Sequence, residues 1–164
     1  MFAEIRGNVE TRLRKLDEGD FDAIVLAVAG LERLGLGERV TDPISARVCI
    51  PSAGQGAVGV ECRSDDSETV ALLRAINHQE TETCVLAERE VTRMLEATCS
   101  VPIAVYAHLV ADMISINAFV SDPDGATIIR KSASGDSGTF IDIAQGLGRE
   151  LISDGAMSLI SSGV

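Results

Sequence analysis

Residues 103–132, IAVYAHLVADMISINAFVSDPDGATIIRKS, decide the fold. Three runs rich in Ile, Val and Ala, IAVYAHLV, MISINAFV and ATIIRKS, predict three strands, and the DPDG between the last two is a turn signal. Strands joined this closely pair antiparallel. Working outward, a helix is expected from Glu80 to about Ala97, with Cys84, Ala87, Val91, Met94 and Leu95 on one face. Residues 139–152 and 155–161 return to helical spacing. Helix, three strands and helix make a small α+β domain over residues 76–164.

The first 75 residues follow a different pattern. AEIRGNVETRLRKLDEG reads as a short strand ending near Arg6, then a helix capped by Asn8, striped by Val9, Leu13 and Leu16, and closed by Gly19. DFDAIVLAVAG is a continuous apolar run suited to a strand buried on both faces, and its Gly30 opens a short helix, GLERLGLG. Gly54, Gln55 and Gly56 predict a tight turn before another strand-like run, AVGVEC, and Ser67 is expected to cap a helix running through Ile76. The alternation argues for part of a parallel α/β sheet over residues 1–50. Two strands are too few for such a sheet to be stable alone, so the chain reads as part of a larger protein with partner strands upstream.

Composition narrows the function. The formal net charge of -11 repels phosphate backbones, so a nucleic-acid partner is not expected. Arg6, Arg12, Arg14 and Lys15 nevertheless place four of the 14 cations in the first 15 residues, enough for small carboxylates. Cys49, Cys62, Cys84 and Cys99 lack metal-ligand spacing, and His78 and His108 have no partner histidine, so no metal is implied and both histidines read as structural. No apolar run approaches the roughly 20 residues of a membrane span, and a reducing, cytoplasmic setting is expected.

Four stretches, IRGNVETRLRKLDEGDFDAIVLAVAGLERLGL, PSAGQGAVGVECR, NHQETETCVLAERE and LEATCSVPIAVYAHL, followed by GLGRELISDGAMSLI, resemble in order and spacing the hydroxymethylbilane synthase (porphobilinogen deaminase) family. The resemblance covers nearly the whole chain and implies an enzyme of tetrapyrrole biosynthesis that condenses four porphobilinogen molecules into a linear tetrapyrrole with loss of ammonia. It implies two periplasmic-binding-protein-like α/β domains and a smaller third domain. On that pattern residues 1–50 correspond to the later part of domain two, 51–75 to a segment returning to domain one, and 76–164 to domain three. The chain is then expected to be a C-terminal half only, lacking the family's catalytic aspartate and inactive by itself, with the missing N-terminal half as its partner.

The resemblance also implies a covalent dipyrromethane cofactor linked as a thioether to Cys99. A soft thiolate is a good nucleophile toward the electron-poor carbon that remains when an aminomethyl pyrrole loses ammonia. Cys49, Cys62 and Cys84, without such context, read as small buried hydrophobes. Where the family commonly has two glycines before the anchor, Ala97 and Thr98 stand here, which predicts a stiffer loop. The acetate and propionate arms of porphobilinogen and of the growing oligopyrrole need fixed cations, and guanidinium forks supply them. Arg6 lies just before a helix N-terminus that itself favours anions. Arg12 and Arg33 match family arginines that hold cofactor and substrate carboxylates, while Gly30 and Gln55 are expected to line the cleft. The competing reading is a non-catalytic module that binds tetrapyrroles or other polycarboxylates.

Overall fold

The structure, a computed structural model, describes residues 3–96 and 102–161. They divide into two compact units, one up to Ile44 and one from Ser45 onward.

In the first unit, helix α1 spans Val9–Asp17. The Asn8 side chain caps it by accepting the Thr11 N–H at 2.8 Å. Its C-terminus closes as a Schellman motif: Gly19, at φ +82°, donates to the Leu16 carbonyl and Asp20 to that of Lys15. A short helix α2, Val28–Arg33, and a 3-10 turn, Gly37–Arg39, follow. Among the described residues Leu13 and Leu31 are the buried apolar side chains of this unit, and Arg39 reaches Asp17 at 2.6 Å.

The strands expected before Arg6 and within DFDAIVLAVAG do not form here, and α2 begins two residues before Gly30. The physical reason is that a strand exists through its ladder of hydrogen bonds, and no neighbouring segment of this unit supplies the pairing groups. Val25 consequently stays 69% exposed. A periplasmic-binding-protein-like sheet is therefore not seen among the described residues.

The second unit opens with turns. AVGVEC is likewise not a strand, and Val58 and Val60 are exposed. Helix α3, Ser67–Ala75, is capped by Asp66 rather than by Ser67: the Asp66 carboxylate accepts the Thr69 N–H at 3.0 Å and the Thr69 hydroxyl at 2.8 Å, and these bonds hold its pKa below the ordinary value. Helix α4, Gln79–Met94, carries the stripe expected of it, with Ala87, Val91 and Leu95 fully buried.

The three expected strands are present as β1 (Ile103–Val110), β2 (Met113–Ser121) and β3 (Ile128–Asp136), antiparallel in the order β1-β2-β3. Val110 pairs with Met113 across a two-residue turn with Ala111 at φ +54°. At the DPDG turn the Asp122 carboxylate accepts the Ala126 and Thr127 amides at 2.8 and 3.0 Å, with Gly125 at φ +67°. Helices α5 (Phe140–Ser153) and α6 (Ala156–Ser161) complete the α+β unit.

Strand alternation sends Val105 and Ala107 of β1 and Ile114, Ile116, Ala118 and Val120 of β2 to one face, where they meet α4, α5 and α6 in a single core. Gly148 lets α5 approach α4 closely, since a Cβ there would stand 2.6 Å from the Met94 sulfur. Among the described residues no helix is long and apolar enough to cross a membrane.

Candidate functional site

Arg6 precedes α1 by three residues and Arg12 lies within it. Arg12, one turn into the helix, donates through Nε to the Gly7 carbonyl at 2.8 Å, beside Arg6 in the chain. Arg6 is highly exposed and meets Glu4 at 3.1 Å. Such an exposed pair is worth roughly 0–1 kcal/mol and yields readily to a competing carboxylate. Arg33 is the exposed last residue of α2, whose first turn contains the half-buried Gly30. The Arg14–Glu18 pair at 2.7 Å occupies the solvated side of α1.

In the second unit Gly54 and Gly56, at φ +73° and +85°, turn the chain sharply, and the Gln55 backbone N–H donates to the Ser52 carbonyl at 3.0 Å. The turn thus holds Gln55 exposed. Cys99 lies outside the described residues, as do Ala97 and Thr98.

The residue that fixes this turn escaped the reading of the sequence. Glu88 is 5% exposed inside α4. Its Oε2 accepts the Gly54 N–H at 2.6 Å and its Oε1 accepts the Ala107 N–H of β1 at 2.8 Å. Burial raises its pKa above the ordinary carboxylate value, against the opposing pull of the two amides. The signal was available: position 88 falls four residues after Cys84 and three before Val91, on the apolar stripe, where a carboxylate must have dedicated donors.

The remaining cysteines divide. Cys84 is half-buried, and burial, then the Glu88 and Glu80 carboxylates, push its thiol pKa up, which suits an unreactive thiol. Cys49 and Cys62, expected as buried hydrophobes, are exposed, because the runs carrying them pair with no sheet. His78 caps α4, its Nδ1 2.8 Å from the Thr81 hydroxyl. His108 stacks on Tyr106 with ring centroids 5.7 Å apart. Among the described residues no cluster of three or more His, Cys, Asp or Glu could hold a metal ion. A cavity of about 620 Å³ lies against the sheet between Arg47, Tyr106, His108 and Arg130, and none of the sequence candidates lines it.

Comparison with known families gives two matches. Residues 1–71 match the porphobilinogen deaminase dipyromethane cofactor binding domain, and residues 82–153 match the porphobilinogen deaminase C-terminal domain. Because the first match is to the N-terminal domain of the family, the expectation of a C-terminal half only is not supported: the chain carries sequence of both domain types.

Proposed function

From the premise that this chain belongs to the porphobilinogen deaminase family, a transferase family of porphyrin biosynthesis with a dipyrromethane cofactor, we propose that it serves the head-to-tail condensation of four porphobilinogen molecules into hydroxymethylbilane with release of ammonia. The observation that carries this reading is the pair of family matches in chain order, the first containing the glycine turn at Gln55 and the second containing Cys99.

Cys99 is the proposed attachment point of the cofactor. A thioether there forms when sulfur bonds the methylene carbon of an aminomethyl pyrrole as its carbon–nitrogen bond breaks; the amine leaves as ammonia, taking up the thiol proton. Once bound, the cofactor supplies the primer to which pyrrole units are added. The described residues fit a polycarboxylate of this kind. Arg6 stays exposed at the amino end of α1, Arg12 keeps its terminal guanidinium nitrogens beyond the Gly7 bond, and the Gln55 side chain is held out by its turn. In this reading Arg6, Arg12 and Arg33 hold acid arms, while Gly30 and Gln55 approach the pyrrole rings.

The domain assignment goes with it: residues 1–50 as part of an α/β domain, 51–75 as a connecting segment and 76–164 as the cofactor-anchoring α+β domain. Acid–base catalysis, whose electrostatic and proton-transfer contributions usually dominate turnover, is assigned to none of these residues, and this chain alone is expected to be inactive.

Intact mass of the protein after incubation with porphobilinogen tests the proposal. A two-pyrrole adduct that disappears in Cys99→Ser is expected. An adduct that survives the substitution contradicts the anchor, and saturable polycarboxylate binding without any adduct supports the non-catalytic module instead. Steady production of uroporphyrinogen by the isolated chain would contradict the expected inactivity.

A further inference from the structure

We propose that Glu88 is a positioning residue that ties the Gly54–Gln55–Gly56 turn to both stems of the cofactor-bearing segment; this rests on the reading above, in which Gln55 and Cys99 serve the cofactor. One buried carboxylate joins three pieces of backbone: its own helix, the turn through the Gly54 N–H at 2.6 Å, and β1 through the Ala107 N–H at 2.8 Å. Helix α4 ends at Met94 and β1 begins at Ile103, so those two elements are the stems on either side of Cys99 in the chain. The turn that presents Gln55 is therefore referenced to the backbone that leads into and out of the anchor segment.

A carboxylate is the right group for this task. Both of its oxygens accept and both face N–H donors, whereas the amide of glutamine would turn its NH2 toward one of them. The turn depends on that bond. Gly54 sits at φ +73°, and within the turn the Gln55 backbone N–H donates to Ser52 and the Ala57 N–H to Gly54, while the Glu88 carboxylate supplies the tie to the rest of the unit. A deeply buried carboxylate inside an apolar stripe is otherwise a destabilising choice, which argues for a positional role over a packing role.

Two measurements test the inference on the full chain. In Glu88→Gln, hydrogen exchange at the Gly54 amide is expected to accelerate by about tenfold or more, while exchange at the Ile116 amide in β2 stays unchanged. Glu88→Asp, which keeps the charge on a shorter arm, provides a second variant should the first fail to fold, and an intermediate acceleration is expected for it. Unchanged Gly54 exchange in a folded variant overturns the proposal.

The second measurement is the rate at which the Cys99 adduct appears on incubation with porphobilinogen, followed by intact mass in wild type, Gln55→Ala, Glu88→Gln and the double variant. Both single substitutions are expected to slow attachment, and the double variant is expected to be no slower than Gln55→Ala, because Glu88 acts through that turn. Effects that simply multiply would assign Glu88 to general stability and overturn the positioning role. If Gln55→Ala slows attachment and Glu88→Gln does not, only the present inference fails. If Gln55→Ala attaches the cofactor normally, the assignment of Gln55 fails and takes this inference with it. Should wild type itself form no adduct, the proposed function fails, and the Gly54 exchange result alone decides whether the turn is held by Glu88.

Discussion

Two kinds of apolar run in this chain meet different fates. IAVYAHLV and MISINAFV pair in full and bury Val105, Ile114, Ile116 and Val120 completely. AIVLAV, apolar throughout, and AVGVEC form no strands and leave Val25, Val58 and Val60 exposed. The difference lies in the neighbours. The first pair lie next to each other in sequence across a two-residue turn and under helices that cover one face, whereas the second pair have no adjacent segment to supply the other half of a ladder. An apolar run therefore predicts burial only where a partner is close enough to satisfy its backbone.

This contrast is open to attack at several positions. Ile116→Ala, at the centre of the core, should cost about 2–5 kcal/mol and lower the urea midpoint of the second unit correspondingly. A loss below that range would mean the sheet face is loosely packed. Gly148→Val forces a side chain against Met94 and should cost about 1–3 kcal/mol, read as a lower thermal midpoint.

In the first unit, Asn8→Ala removes the bond to the Thr11 amide, and a loss of about 0.5–2 kcal/mol should appear as reduced helicity near α1. Val58→Thr, on an unpaired run, should change stability by no more than about 0.5 kcal/mol. A loss as large as that at Ile116 would show that Val58 is buried in solution.

Acid provides a further probe. Arg93 and Gln145 hold the Glu90 carboxyl at a pKa of about 2, below its ordinary value of 4.5. A lowered folded-state value stabilises the fold above the unfolded-state pKa, and that contribution disappears as pH falls from about 4.5 through about 2. Unfolding midpoints of wild type and Glu90→Gln should accordingly converge over this window. Glu88 has the opposite sign: its raised pKa makes its contribution complete below the ordinary carboxylate value and diminishing as pH rises through the folded-state value.

The strands were legible because period-two burial and turn residues agree with each other, and β1 was read to both its ends. β3 runs on to Asp136, beyond the ATIIRKS that suggested it, because the polar Ser132–Ser134 stretch carries no apolar signal yet pairs with β2. Helix α3 is capped by Asp66 in place of Ser67, and α4 starts at Gln79, a residue before the expected Glu80, behind the His78 cap. The glycine turn around Gln55 could be read from composition alone. Its attachment to Glu88 could not, since the pairing spans 34 positions and no local pattern records it.

The attachment point can be read from a tryptic map of the protein loaded with porphobilinogen. Cleavage after Arg93 and Arg130 isolates Cys99 in the peptide 94–130, while Cys84 falls in 75–89 and Cys49 and Cys62 share 48–63. The two-pyrrole mass should appear on 94–130 and nowhere else; finding it on 48–63 or 75–89 would contradict the assignment of Cys99.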